Sequence, residues 1–247
     1  MTFSLLIAAA VAQAAAVSPA DEARFVRCAA LASKDPAAAV VEASNWRISG
    51  GGGSAARQCQ GLAYAGLNQY EPAAKAFTEA AEAAGKDGRA AGPLWVQAGN
   101  AWLLADRAAD AREALTKGIA AGEGNAVLLG EAHLDRARAA AALSDWPAAR
   151  KDLDDAQRLA PADPMVWLLS AALARRMEDL PRARTDIAEA LKRDPGAGPI
   201  LIEAGNIALM SGDLATARKH WTSIVTNAPE SREARAAEQA LAENPAE

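Results

Sequence analysis

Small apolar residues recur at a regular step along the chain, and a large apolar residue follows each of them four positions later. The step is constant up to Ala149, and after Ala149 it is shorter by about one helical turn. Since residues i and i+4 share one helix face, the pattern predicts a series of amphipathic helices that approach one another closely. The small residues are Ala73, Ala111, Ala149, Ala183 and Ala217, and the large ones are Phe77, Leu115, Leu153, Ile187 and Trp221.

A second set of small residues keeps the same steps and defines a partner helix in each unit. Its members are Gly61, Gly99, Ala137, Ala171 and Gly205. Aspartates stand between the two sets, where a carboxylate caps the next helix, and prolines follow the second set, where they end it. These residues are Asp145, Asp179 and Asp213 at the turns and Pro161, Pro195 and Pro229 at the ends. The chain is therefore predicted to consist of repeated helix-turn-helix units.

This pattern resembles the tetratricopeptide repeat (TPR) family, in which about 34 residues form two antiparallel helices with small residues at their contact. The resemblance covers about residues 20–229 and implies an exported bacterial TPR protein with an all-α fold. The implied architecture is a right-handed α-solenoid of about six TPR helix-turn-helix repeats within residues 17–229. The first repeat, about residues 20–53, is degenerate. Residues 230–247 are predicted to be a C-terminal capping helix and tail, since repeat arrays need a polar terminal element.

Two of the repeats contain four additional residues, around Gly85–Gly92 and Gly118–Asn125. Four residues are about one helical turn, whereas the glycines favour longer connections. The sequence leaves open whether a helix or a connection is longer.

The N-terminus has the features of a targeting segment. Residues 3–17 are almost entirely apolar, and no charged side chain precedes Asp21. The run is too short for a membrane span and fits a secretory signal peptide of residues 1–16, although no Lys or Arg precedes it. We therefore expect a protein of the periplasm or a secreted protein. The alternatives are an uncleaved inner-membrane anchor and an alanine-rich first helix of the fold.

The two cysteines fall on the first helices of neighbouring repeats. Cys28 and Cys59 are 31 residues apart, and stacked first helices bring such positions together. In an oxidising compartment the pair is expected to form a disulfide, and the alternative is two buried thiols. The glycine run Gly50–Gly53 between them lacks the Lys-Ser/Thr ending of a phosphate loop. It predicts a turn with positive φ.

Composition and motifs argue against catalysis. The net charge is −5, and an acidic chain is not expected to bind nucleic acid. No catalytic or dinucleotide-binding motif is present, and His133 and His220 are expected to be structural. Asp152, Asp154 and Asp155 lie among basic residues and are expected to form a solvated face. We predict no enzyme activity, no cofactor and no metal site.

The resemblance also implies where binding occurs. In TPR proteins the first helices line an extended concave surface that commonly holds an extended peptide or a partner helix. Asn100 and Asn206 occupy equivalent places and suit a peptide backbone, and the arginines suit an acidic segment or a terminal carboxylate. The lysines of the chaperone-binding clamp are absent. The predicted concave-surface residues are Gln58, Gln97, Asn100, Leu103, Arg138, Leu168, Arg175, Arg176, Glu203 and Asn206.

Two functions remain open on this basis. The first is a periplasmic TPR scaffold for protein–protein interaction, with a peptide or partner helix in the concave surface. The second is a self-associating structural repeat protein, a possible homodimer formed through an array end near Trp46 or the degenerate first repeat. The partner is expected to be another protein or peptide.

Overall fold

The structure, a computed structural model, describes residues 18–86, 89–122 and 125–246. Within these residues the chain forms thirteen α-helices and no β-strand. No helix in this part of the chain is both long enough and apolar enough to span a membrane. The predicted signal peptide, residues 1–16, lies outside the described residues.

The chain divides into two compact units, with the boundary between Ala105 and Asp106. The helices of unit 1 are α1 (Pro19–Lys34), α2 (Pro36–Ile48), α3 (Gly53–Gly66), α4 (Tyr70–Ala84) and α5 (Gly92–Leu104). The helices of unit 2 are α6 (Ala108–Ala121), α7 (Ala126–Ala142), α8 (Trp146–Leu159), α9 (Pro164–Arg176), α10 (Leu180–Arg193), α11 (Gly198–Met210), α12 (Leu214–Asn227) and α13 (Arg232–Glu243). Odd-numbered helices up to α11 are the first helices of the repeats, and even-numbered helices are the second helices.

Each unit is a stack of helix pairs. In unit 1, α3 packs against α1, α2 and α4, and α4 packs against α5. In unit 2, α9 packs against α8, α10 and α11, and α11 packs against α12 and α13. Helices α1, α3, α9 and α11 therefore each contact both their own second helix and the first helix of a neighbouring repeat.

Small residues allow the close contact between paired helices. The five alanines of the second helices are completely buried. A Cβ atom built on Gly61 would lie 2.6 Å from the ring of Phe77, and one built on Gly205 would overlap Nε1 of Trp221. Neither position has space for a side chain, which confirms the predicted contact in both units.

The turn from first to second helix has the same conformation in successive repeats. One residue in each turn has a positive φ, namely Asn68, Asp106, Ser144, Glu178 and Gly212. In the turns at Asn68, Ser144, Glu178 and Gly212, the amide of the next residue donates to a carbonyl five residues earlier, as Asp179 does to Ala174 at 2.9 Å. This is the Schellman ending of a helix, and it directs the chain back along the first helix.

The predicted aspartate caps are confirmed in unit 2. The carboxylates of Asp145, Asp179 and Asp213 each accept the backbone N–H three residues later, at the start of α8, α10 and α12. Each of these aspartates therefore both closes the preceding helix and begins the next one.

The two four-residue insertions are accommodated differently. The connection before α5 is residues 85–91, whereas the connection before α9 is residues 160–163. The connection before α7 is no longer than the connection before α9. Helix α7, however, has 17 residues, whereas α9 and α11 have 13 each. The first insertion is thus mainly a longer connection, and the second is one additional helical turn.

A disulfide joins the first two repeats. Cys28 of α1 is bonded to Cys59 of α3, with the Cα atoms 6.0 Å apart. Gly50 and Gly52 have positive φ, as predicted for the glycine run. Because Gly52 has no side chain, the indole of Trp46 lies against this turn and is only 1% exposed. Trp46 is therefore a core residue of the first repeat.

The last helix covers the end of unit 2. Ala234 and Ala237 of α13 are buried in a cluster with Leu201 and Trp221. The exposed side chains of this helix are mostly polar and include Arg232, Arg235, Glu238 and Gln239. Helix α13 thus has the amphipathic character expected of a terminal element.

Candidate functional site

An apolar pocket opens between three helices of unit 2. It has a volume of about 130 Å³ and lies between α7, α8 and α9. Four alanines, among them Ala141 of α7 and Ala172 of α9, line it, and Trp146, Leu153 and Leu169 supply its large apolar surfaces.

Two arginines line the same pocket. Arg138 extends from α7 and Arg176 from the last turn of α9. Nη1 of Arg138 is 2.5 Å from Oδ1 of Asp135 on the same helix. Among the residues that the structure describes, no acidic side chain pairs with Arg176, and no carboxylate lines the pocket. The pocket therefore combines an apolar interior with positive charge at its border.

Arg138 and Ala172, which both line the pocket, occupy the same repeat position on successive first helices. This position is Asn100 in α5, Arg138 in α7, Ala172 in α9 and Asn206 in α11, one residue in each successive repeat. Asn206 is partly exposed. In unit 2 this position is therefore occupied in turn by the guanidinium of Arg138, the small side chain of Ala172 at the pocket, and the amide of Asn206.

Arg175 and Glu203 bind each other instead of facing a free surface. Nε and Nη2 of Arg175 donate to the two carboxylate oxygens of Glu203 at 2.6 and 3.1 Å. Glu203 is 7% exposed. The pair connects α9 to α11, so the expectation that both residues are available to a ligand is wrong. Bidentate pairing satisfies both groups.

Leu168 is a core residue. It is 6% exposed and packs in a cluster with Ile187, Ile200 and Ile207. Its prediction as a surface residue is wrong, because the neighbouring repeat covers this side of α9.

The predicted binding residues of unit 1 contact other residues of that unit. Nε2 of Gln58 donates to Oε1 of Gln97 at 3.0 Å, and Nη2 of Arg89 donates to Oε1 of Gln58 at 2.8 Å. The Arg89 guanidinium also lies 4.9 Å from the ring centre of Phe25. Arg89 belongs to the lengthened connection 85–91. This insertion therefore places a side chain of the protein itself over the first-helix face of unit 1.

Two further predicted residues of unit 1, Asn100 and Leu103, are half-buried. Oδ1 of Asn100 is buried without a hydrogen-bond partner among the described residues. Neither residue lines a described cavity of unit 1.

Asp152 is buried, contrary to the prediction of a solvated acidic face. It is 4% exposed, its Oδ1 lies 2.9 Å from Nδ1 of His133, and Arg136 donates to both of its oxygens at 2.9 and 2.7 Å. Burial alone would raise the pKa of the Asp152 carboxyl, but the hydrogen bonds from His133 and Arg136 hold it below its ordinary value. The group connects α8 to α7.

His133, Asp152 and Asp155 bring their ligand-type atoms within 4.8 Å of one another. The guanidinium of Arg136 already neutralises Asp152, and a cation in this place would be repelled by it. We therefore assign this group to helix pairing.

A second buried aspartate occupies the same place one repeat later. Asp186 is 4% exposed and accepts a hydrogen bond from the hydroxyl of Ser170, which in turn accepts one from Arg150 at 2.7 Å. These bonds join α10, α9 and α8. Asp152 and Asp186 are separated by one full repeat, and this spacing is the sequence signal that identifies the two sites as equivalent.

Another hollow of unit 2 lies between α10, α11 and α12 and has a volume of about 250 Å³. Ile187 and Ile207 form part of its apolar wall, and Ser211 and His220 are among its polar residues. Burial, and then the charge of Lys219, lower the pKa of the His220 imidazole below its ordinary value. This hollow therefore contains a neutral imidazole at neutral pH.

Comparison with known proteins identifies the fold. No family model matches the chain, and no curated protein matches it in sequence. PilW, described as a widely conserved type IV pilus biogenesis factor, is similar with a TM-score of 0.74 and 16% identity, over 89% of this chain and 99% of that chain. PilF of Pseudomonas aeruginosa is similar with a TM-score of 0.69 and 14% identity, over 90% and 97% of the two chains.

YrrB, described as a TPR protein with an unusual peptide-binding site, has a TM-score of 0.55 and 18% identity, over 74% of this chain and 91% of that chain. At these identities the similarity establishes the fold alone. The protein has the all-α fold of tetratricopeptide-repeat proteins, as the repeat pattern predicted.

Proposed function

We propose that this protein is an exported scaffold for protein–protein interaction, and that unit 2 binds a segment of a partner on its first-helix face. The observation that carries the proposal is the apolar pocket between α7, α8 and α9, bordered by Arg138 and Arg176. An apolar concavity with a few polar groups is the usual form of a binding site. Stacked helix repeats expose such surfaces for partners.

Unit 2 is favoured over unit 1 because Arg89 and the pair of Gln58 and Gln97 cover the corresponding face of unit 1. Of the ten predicted surface residues, Arg138 and Arg176 line the pocket, and Asn206 is partly exposed one repeat beyond it. These three residues are the ones that we assign to binding.

The disulfide supports an extracytoplasmic location, since such bonds persist in oxidising compartments. The apolar N-terminal run of residues 3–17 supports export by a signal peptide. The role of PilW in type IV pilus biogenesis suggests a cell-envelope assembly as the first place to look for a partner.

The location is tested by labelling thiols in intact cells before lysis. We expect Cys28 and Cys59 to be oxidised and a tagged chain to be digested when protease is added to cells with a permeable outer membrane. Free thiols in a protease-protected chain would contradict export.

Partner binding is tested by site-specific photo-crosslinking of the full chain in its native cells. A photoreactive residue at Asn206, which is partly exposed at the equivalent position one repeat beyond the pocket, is compared with one at the exposed Ala236 of α13. We expect a discrete adduct from position 206 that disappears when Ala141→Leu fills the pocket. Identical adducts from both positions, or an adduct unaffected by Ala141→Leu, would contradict binding in the pocket.

One observation favours self-association as a second function. Val26 is 59% exposed, Val41 is 59% exposed and Ile48 is 84% exposed, all in α1 and α2 of the first repeat. A second copy of the chain would bury these side chains. We expect Ile48→Glu with Val41→Glu to convert a dimer to a monomer in light scattering, and a monomeric wild-type chain would exclude this function.

A further inference from the structure

We propose that the pocket of unit 2 recognises an extended acidic segment, with one apolar side chain in the pocket and a carboxylate two residues away paired with Arg176. This inference rests on the proposed function and specifies the chemistry of the partner. It follows from the size of the pocket, its charge and the repeat position that continues beyond it.

The size of the pocket limits the anchor to one aliphatic side chain. An engineered apolar cavity of about 150 Å³ is known to hold one benzene molecule. The pocket here has about 130 Å³, so leucine, isoleucine, valine or methionine fits and tryptophan does not. The apolar surfaces of Trp146, Leu153 and Leu169 would contact that side chain.

The charge around the pocket selects a carboxylate. Arg176 lacks an acidic partner among the described residues, whereas the neighbouring Arg138 and Arg175 are paired with Asp135 and Glu203. An incoming carboxylate therefore finds one unneutralised guanidinium and no repelling carboxylate in the pocket lining. Arg138 contributes mainly the apolar stem of its side chain.

The position of Asn206 favours an extended ligand. Asn206 is one repeat beyond Ala172 on the same face and can both donate to and accept from a peptide backbone. In an extended peptide, side chains two residues apart point to the same face at about 6.8 Å. One side chain can then enter the pocket while the second lies beside Arg176.

The experiment measures binding of short synthetic peptides to the full chain by fluorescence anisotropy. The probe is acetylated and amidated and carries leucine with glutamate two residues later. A second peptide carries lysine in place of the glutamate, and a third carries alanine in place of the leucine. We expect the lysine peptide to bind about tenfold more weakly than the glutamate peptide, and the alanine peptide more than tenfold more weakly.

Two variants test the charge preference and the occupation of the pocket separately. Arg176→Glu should reverse the preference, binding the lysine peptide more tightly than the glutamate peptide, whereas Arg232→Glu on the exposed face of α13 should leave it unchanged. Ala172→Leu, which fills the pocket, should abolish binding of both charged peptides, whereas Ala236→Leu should not. Circular dichroism and the unfolding temperature confirm that each variant is folded.

The outcomes distinguish this inference from the function on which it rests. Binding that depends on leucine and on Ala172 but ignores the charge would overturn the acidic specificity and leave the pocket as a binding site. Binding unaffected by Ala172→Leu would overturn both. Two further probes, a peptide with a free C-terminal carboxylate and a helical peptide, complete the series. If only one of these two binds, the extended internal segment is the wrong ligand.

Discussion

The backbone of Gly205 lies directly against the indole ring of Trp221. A Cβ atom at position 205 would overlap Nε1 of the indole, and the indole is 1% exposed. This contact fixes the distance between α11 and α12, and Gly61 and Phe77 form the same contact between α3 and α4.

Replacing Gly205 with alanine should therefore destabilise the protein. Gly205→Ala forces the helices apart and should lower the free energy of unfolding by about 2 kcal/mol, despite the better helix propensity of alanine. The measurement is urea unfolding. Gly196→Ala is the matched control, because nothing lies within 4 Å of its added methyl group. An equal effect of both substitutions would contradict the proposed contact.

Substitutions at two equivalent turn positions with positive φ should change the free energy of unfolding in opposite directions. Glu178 has φ +62°, and Gly212 has φ +81° one repeat later. Since only glycine adopts this conformation without strain, Glu178→Gly should raise the free energy of unfolding by about 0.5 kcal/mol. Gly212→Ala should lower it by about 1 kcal/mol. The turn is misassigned if both substitutions change stability in the same direction.

Reducing the disulfide should loosen unit 1 selectively. Closing a loop of about 30 residues stabilises the folded chain by about 3.6 kcal/mol in the chain-entropy model. The bond joins α1 to α3. With a reductant, or in the Cys28→Ala and Cys59→Ala double variant, we expect faster hydrogen exchange in α1 and α2. Hydrogen exchange in α8 to α12 should not change. If hydrogen exchange in α1 is also unchanged, the disulfide does not stabilise unit 1.

His220 should make the protein less stable at mildly acidic pH. Its pKa is lowered in the fold by burial and by Lys219, so the unfolded chain binds more protons below the ordinary pKa of about 6.5. The free energy of unfolding therefore falls as pH decreases from about 6.5 toward the lower pKa of the folded state. His220→Gln should show a shallower dependence when unfolding is measured at pH 7.5 and at pH 5.5. If the free energy of unfolding changes with pH equally in the wild-type chain and in His220→Gln, the pKa of His220 is not lowered by folding.

The repeats, the aspartate caps and the small contact residues could be predicted because they depend on local spacing. Asp145, Asp179 and Asp213 cap helices through atoms three residues away. Gly205 and Ala217 show their role by recurring at a fixed step. Such features need no knowledge of how distant helices pack.

The surface residues could be predicted only in part because their state depends on neighbouring repeats. Arg175 meets Glu203 across two helices, 28 residues away in sequence, and the next repeat covers Leu168. Arg89 reaches Gln58 from an insertion that the repeat pattern does not describe. The pocket itself results from small residues on different helices, which no single stretch of sequence reveals.

The most direct test of the account is hydrogen exchange of the full chain with and without the acidic leucine peptide. We predict slower exchange in α7 and in α9, around Ala141 and Ala172, with no change in α1 to α5. Slower exchange confined to unit 1, or to α10 and α12, would contradict the assignment of binding to the pocket of unit 2.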